Sequence, residues 1–339
     1  MELQLKNIGM IKEANVKIDG LTVIAGENDT GKSTVGKALF LAYNSMSLEP
    51  ISNTELFGTE DIINLGRKNI YGEQIKNNIF SKNSFNSSSL IRIVYDNNFF
   101  EYNDRFIHDT LYKKDIKIAN IAFIETPLVW NLQNLFRTSI DIESHLKTLG
   151  EDIDIPYPFL IKDLYYKLST QQKYTEDWTN LYNKRIASII DGEFRKDEDG
   201  IFRFYRQNKK FDLIDIATGI KTFGIIQILL NNNRLNSYSL LILDEPEVHL
   251  HPKWQLEMAK VIVELVKNGV KIVVNSHSPY MIEALKRYSE VEEIEDKTNF
   301  YLAEDGYIEY QESLEDIFEK LVLPIRELKK LKMDRYLND

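Results

Sequence analysis

The segment that most restricts this chain is Gly26-Glu27-Asn28-Asp29-Thr30-Gly31-Lys32-Ser33-Thr34, which fits the phosphate-binding loop pattern and has the neighbours that pattern requires. Leu21 to Ala25 is a compact apolar run that reads as a buried strand. Val35, Ala38, Leu39, Leu41 and Ala42 then recur at helical spacing. The order is therefore strand, glycine loop, helix. In that order the loop amides and the helix N-terminus are disposed to wrap phosphate oxygens. Lys32 is expected to reach the β and γ phosphates, Ser33 to ligate Mg2+, and Thr34 to support the α phosphate. A glycine turn that merely opens a helix would not need the full pattern. Asp29 puts a negative charge in the loop, which either lowers phosphate affinity modestly or points outward.

Leu240 to Leu243 is wholly apolar and delivers two adjacent acids, Asp244 and Glu245. Such a strand end suits a division of labour in which Asp244 holds Mg2+ and Glu245 polarises an attacking water. Two solvated acids after an edge strand are the alternative, and the phosphate loop argues against it. His277 follows the apolar run Lys271 to Val274, so parallel pairing with the Asp244 strand would bring its imidazole to the phosphate edge. His249 and His251 lie two apart, but with no third ligand in view a turn at a subunit contact is the better reading than a metal site. Ala217-Thr218-Gly219-Ile220-Lys221 precedes a helix, with Thr218 as its expected cap and free amides for an anion. An ordinary helix start explains that pentapeptide equally well.

With 339 residues and 43% hydrophobic content the chain can bury a substantial core as one large domain or two modest ones. A net charge of -10 disfavours nonspecific binding of nucleic acid by the whole surface. The absence of cysteine excludes disulfide and thiol chemistry. A start without a secretion signal and the lack of any long apolar stretch predict a cytoplasmic protein with no membrane role. Residues 45–118 are rich in Asn, Ser, Asp and Gly and read as a peripheral antiparallel lobe with strands at 90–95 and 99–102, and Ile118 to Ile124 reads as a strand ending at Glu125. Residues 128–195 are helical in pattern. From Phe194 to Phe211 aromatic and basic residues alternate around Asp199-Gly200, which predicts a β-hairpin. Strand, helix, strand from 239 to 275 predicts parallel pairing. The expected fold is thus α/β, with a mixed central sheet, a peripheral antiparallel β-lobe and a helical insertion. Residues 1–127 and 196–339 would form the nucleotide-binding body, 128–195 the insertion, and 286–339 a C-terminal extension.

Together the phosphate loop, the strand ending in Asp244-Glu245, Glu247-Val248-His249-Leu250-His251-Pro252 and Ser276-His277-Ser278-Pro279-Tyr280 resemble the ATPase domain of the OLD family. That family is a RecF-like, SMC-related branch of the ABC ATPases, common in bacterial antiphage systems. The resemblance covers most of residues 1–285. It implies an ABC-type head that binds ATP and Mg2+ and closes head to head, ATP being sandwiched between the loop of one copy and a signature segment of the other. Thr218 to Lys221 would be that segment, although Thr218, Ile220 and Lys221 depart from the usual Ser-Gly-Gly-Gln. By the same likeness Glu245 is the catalytic base and His277 the switch residue. The loop after Ile124 should carry a Gln that senses Mg2+ and the attacking water; Glu125 stands at that strand end and is the expected substitute, or else the coupling between ATP and the helical insertion is unusual. OLD nucleases end in a Toprim domain, whereas about sixty residues follow His277 here, too few for one. Any nuclease or toxin activity is then expected in a separate effector, docked by the C-terminal residues Leu321, Leu323, Ile325, Leu328 and Leu331. The rival expectation is a RecF-like factor that clamps DNA, with Arg203, Arg206, Lys209 and Lys210 as the contacting ribbon. Asp197, Glu198 and Asp199 dilute that charge and favour a solvated face over buried aromatics. A small-molecule kinase is disfavoured by the Glu245 base.

Overall fold

In the computed structural model, residues 1–46, 72–103, 107–148 and 158–323 are described. An eleven-stranded sheet organises them, in the order β6-β5-β4-β1-β2-β14-β13-β3-β12-β11-β7. Its parallel half comprises β13 (Thr298–Glu304), β3 (Leu21–Ala25), β12 (Lys271–Ser276), β11 (Ser239–Asp244) and β7 (Asn120–Ile124). β3, β11 and β7 are buried at every position, as expected of strands covered on both faces. The antiparallel half comprises β2 (Ile11–Lys17), β1 (Glu2–Ile8), β4 (Leu90–Tyr95), β5 (Asn98–Asn103) and β6 (Ile107–Asp109). β14 (Tyr307–Gln311) joins the halves, antiparallel to β13 and parallel to β2. The expected peripheral lobe is therefore hydrogen-bonded into the central sheet.

Successive side chains of the parallel strands point to opposite faces, and each face has its own core. Ile24, Phe123, Ile242 and Val273 meet α1 (Lys32–Ser45) and the inner residues of β1, β4 and β5. Ala25, Ile124, Leu241, Leu243 and Val274 meet α6 (Thr218–Asn231), α7 (Pro252–Lys267) and α8 (Pro279–Val291). A short helix, α2, lies at 72–79, where the polar composition gave no sign of it. α1 approaches the sheet closely at Gly36, where an added Cβ would lie 2.8 Å from Ile242 Cγ2 and 2.9 Å from Phe123 Cε2.

The stretch from 128 to 195 carries α3 (Gln133–Thr148), α4 (Phe159–Ser169) and α5 (Asp177–Ile190) among its described residues, and a strand opens at Glu193. It is not a detached appendage. Trp130, Phe136, Ile161, Leu164 and Ile186 belong to the same core as α6 and α7. The expected single hairpin is a three-stranded meander, β8 (Glu193–Lys196), β9 (Phe202–Arg206) and β10 (Lys209–Asp212). Its second turn uses Gln207 and Asn208, both at positive φ, the geometry a two-residue hairpin turn demands. Phe194 and Phe202 pack on Trp130 at ring distances of 5.5 and 5.1 Å. A helix, α9, opens at 315; of the expected docking residues, Ile325, Leu328 and Leu331 lie outside the described residues.

Candidate nucleotide site

The site lies where β3, β12, β11 and β7 end together. Parallel register sets Ala25 beside Ser276, Asp244 beside Asn275, and Leu243 beside Ile124. Gly26, Glu125, Glu245 and His277 therefore all emerge from one edge of the sheet. The sequence separates these segments by as many as 250 residues; the ladder brings them together.

The loop after β3 turns through Gly26 at φ 155°, Asp29 at 63° and Gly31 at 92°. Asp tolerates the left-handed region better than most residues, which lets Asp29 occupy a turn position that suits glycine. Asp29 is exposed, as are Glu27 and Asn28, so its carboxylate lies on the outer side of the loop. Thr30 Oγ1 donates to the Glu27 carbonyl at 2.9 Å and closes the turn. Gly31 caps α1, whose first turn carries no acid, leaving its positive end unopposed. Thr34 stands in that turn, its amide bonded to the Gly31 carbonyl at 3.0 Å. Lys32 is buried and donates to the Glu27 carbonyl. Burial lowers its pKa, opposed by the nearby charges of Glu245, Asp244, Glu247 and Glu27. The lysine and the paired acids thus share one electrostatic site.

Ser33 Oγ donates to Asp244 Oδ1 at 3.1 Å across 211 residues of sequence. Asn275 Nδ2 donates to the same oxygen at 2.8 Å. Burial raises the Asp244 pKa; these two hydrogen bonds oppose the rise, and the charges of Glu125 and Glu245 add to it. Glu125 forms an ion pair with Lys37 at 3.3 Å and lines, with Ser33, Thr222, Asp244 and Glu245, a cavity of about 270 Å3. Glu245 has φ 50°, a backbone conformation that turns the chain off the strand line immediately after Asp244. Its amide donates to the Asn275 carbonyl at 2.9 Å. His277 Nδ1 lies 3.2 Å from Glu245 Oε1 and 3.6 Å from Glu247 Oε1.

The expected cap of α6 and the exposure of the signature segment need correction. Thr218 does not cap α6; it is the first helical residue, Ala217 occupies the cap, and no side chain bonds there. Lys221 is buried and donates to Asn131 Oδ1 at 3.0 Å, while its carbonyl accepts from Trp130 Nε1 at 3.0 Å. Its side chain is therefore turned inward, and Gly219 is packed against Leu250 and His249. Of the tetrapeptide only Thr218 and Ile220 keep exposure. His251 Nδ1 accepts from the Lys253 amide at 3.3 Å and caps α7, and His249 is exposed at φ 66°. Among the described residues no three His, Asp or Glu side chains come together as a metal site.

The basic meander is not a free cationic ribbon. Arg203 is bonded to Asp197, Asp199 and Asp212, Lys210 pairs with Asp197, and Arg206 pairs with Asp191 and donates to the Ile190 and Asp191 carbonyls. Of the four expected contact residues, three have their charge answered within the protein.

Glu247 was visible in the sequence only as one letter of a motif. The structure buries it at 4% exposure, where its Oε1 accepts from Ser276 Oγ at 2.7 Å and from the His277 and Ser278 amides at 3.0 and 3.2 Å. Burial raises its pKa against those hydrogen bonds. An acid three residues after Asp244 was the only hint in the sequence, since its burial and its partners about thirty positions away are settled by the fold.

The chain is similar to the Septu protein PtuA of Bacillus mycoides (strain KBAB4), with 27% identity over 147 residues, 40% of this chain and 20% of that protein. A shorter segment is similar to the Retron Vc95 probable ATPase of Vibrio cholerae serotype O1 biovar El Tor, 36% identical over 53 residues, 15% of this chain and 10% of that one. The matches thus span a fifth or less of these relatives' own lengths. Among solved structures, the SMC head domain from Thermotoga maritima aligns with 91% of this chain and 97% of its own at 13% identity, with a TM-score of 0.45. No described helix is long and apolar enough to cross a membrane. Residues 21–283 match the family described as "AAA domain, putative AbiEii toxin, Type IV TA system", a span that takes in the loop around Lys32, the Asp244-Glu245 strand end and His277, and the chain belongs to that family.

Proposed function

We propose that the chain is an ABC-type ATPase of the OLD and RecF-like, SMC-related kind. In this reading it closes as a head-to-head dimer, or a higher assembly built from one, in the cytoplasm and governs a separate effector, a nuclease or toxin, in antiphage defence. The observation that carries the catalytic part is the meeting of Ser33 with Asp244 at 3.1 Å and of Glu245 with His277 at 3.2 Å beside the Lys32 loop. The names of the Septu and retron relatives motivate the defence setting.

In this mechanism the amides from Gly26 to Thr34 and the N-terminus of α1 hold the phosphates of ATP, and Lys32 exchanges the Glu27 carbonyl for phosphate oxygen. The Ser33 hydroxyl and the Asp244 carboxylate are hard oxygen donors of the type Mg2+ takes, and two protein donors suit an ion that keeps phosphate and water ligands. When bound, the ion would offset the charge developing on the β and γ oxygens. Glu245 accepts the proton of the attacking water, and His277 sets that carboxylate and faces the γ phosphate. A second copy would approach the open side of the site with Thr218 and Ile220, the two signature positions that remain partly exposed. Residues 1–127 and 196–339 would serve as the nucleotide-binding body, with 128–195 as the insertion that transmits closure and 286–339 as the extension toward the effector. The DNA-clamp alternative draws no support from the meander, whose arginines are paired.

The test compares ATP hydrolysis by the wild-type chain and Glu245→Gln over a range of protein concentrations. Wild-type specific activity should rise with concentration, and the variant should hydrolyse about a hundredfold more slowly or worse while binding ATP and sedimenting as a dimer. Undiminished hydrolysis by Glu245→Gln would remove the assigned base. Activity strictly proportional to concentration would remove the dimer.

A further inference from the structure

Glu247 leaves the end of β11 in a tight turn, with the Val248 amide bonded to the Glu245 carbonyl at 3.0 Å and the Leu250 amide to the Glu247 carbonyl at 2.9 Å. The turn aims its carboxylate across to the neighbouring strand. There a single oxygen, Oε1, receives the Ser276 hydroxyl and the His277 and Ser278 amides, while Oε2 has no partner among the described residues. Gln255 on α7 adds a second strut, accepting from Ser278 Oγ at 2.6 Å and donating to the Leu250 carbonyl at 3.1 Å. The segment that carries His277 is thus tied to the turn that carries Glu245.

We infer that Glu247 is a positioning residue of the hydrolytic site: its carboxylate anchors residues 276–278 and so holds the His277 imidazole against Glu245. The inference rests on the hydrolytic reading above. An exposed loop would explore many backbone states and hold the imidazole in reach of Glu245 only part of the time; three hydrogen bonds to one buried oxygen remove that freedom. Because Oε1 alone takes the donors, an amide oxygen in its place can take the same three. What matters is then the acceptor rather than the negative charge.

The experiment measures kcat, KM and the dissociation constant for ATP in Glu247→Ala, Glu247→Gln, His277→Ala and the Glu247→Ala/His277→Ala pair, with thermal midpoints for each. Glu247→Ala should lower kcat about tenfold or more and leave ATP binding within about twofold. Glu247→Gln should restore most of kcat. The double variant should be no slower than His277→Ala alone, because the two act as one unit. Multiplicative losses in the double variant, or Glu247→Gln as slow as Glu247→Ala, would overturn the inference. If Glu247→Ala does not fold, Ser276→Ala removes one of the three donors with little change in volume and should lower kcat in the same direction; an unchanged kcat there counts against the anchor. Wild type and Glu245→Gln run in the same assay, and failure to separate those two would strike the hydrolytic reading rather than the anchor.

Discussion

Asp244 is placed where stability and chemistry oppose each other. It is 8% exposed, and burial pushes its pKa above the ordinary carboxylate value. An acid whose folded pKa is raised contributes stability below its unfolded pKa and loses it as pH rises through the folded value. At neutral pH the ionised group therefore costs the nucleotide-free fold some stability. Asp244→Asn keeps an oxygen for Ser33 and Asn275 and removes the charge. The variant should melt higher than wild type at pH 7.5, with the gain shrinking as pH falls into the ordinary carboxylate range, and should lack Mg2+-dependent hydrolysis. A variant less stable than wild type across that range would contradict the argument. Lys32, Ser33, Asp244 and Glu245 were legible as candidates because loop, strand and acids each have a local pattern. Glu247 and the inward turn of Lys221 were not, because both depend on partners far away in the chain: Ser276 for one, Asn131 for the other.

Helix α1 carries Lys32 and Ser33, and its height above the sheet is set at Gly36. A methyl there would meet Ile242 on β11 and Phe123 on β7 closer than side chains normally approach. Gly36→Ala should therefore destabilise the fold by about 1 to 3 kcal/mol despite alanine's better helix propensity. It should also weaken ATP binding, since raising the helix separates Ser33 from Asp244. Calorimetric titration and thermal unfolding read both; a variant that melts normally and binds ATP as wild type would show that the helix absorbs the methyl. Elements with a strong local pattern, such as α7 and the buried strands β3, β7, β11 and β12, were readable from sequence alone, whereas β13 was not. The second turn of the meander escaped because Gln207 and Asn208 replace the glycine that usually announces it. The joining of the antiparallel strands to the main sheet escaped because it depends on β14, more than 200 residues after β2, and no local pattern records a partner at that distance.

For the whole molecule, a charge of -10 disfavours a phosphate backbone, and the internal pairing of Arg203, Arg206 and Lys210 takes the meander away as its grip. The chain alone should show no measurable affinity for a short duplex at about 50 mM salt by fluorescence anisotropy, and Arg203→Ala should lower the melting temperature instead of changing DNA binding. Tight binding that falls steeply with added salt would revive the clamp reading. The shared endpoint of β3, β12, β11 and β7 also bears on how such a chain tolerates change. One inserted or deleted residue inside any of these strands would flip every later side chain to the opposite face and carry its functional residue out of reach. The long stretches between them can lengthen or shorten with far less effect, so natural variation in chain length should fall between these strands and spare their interiors.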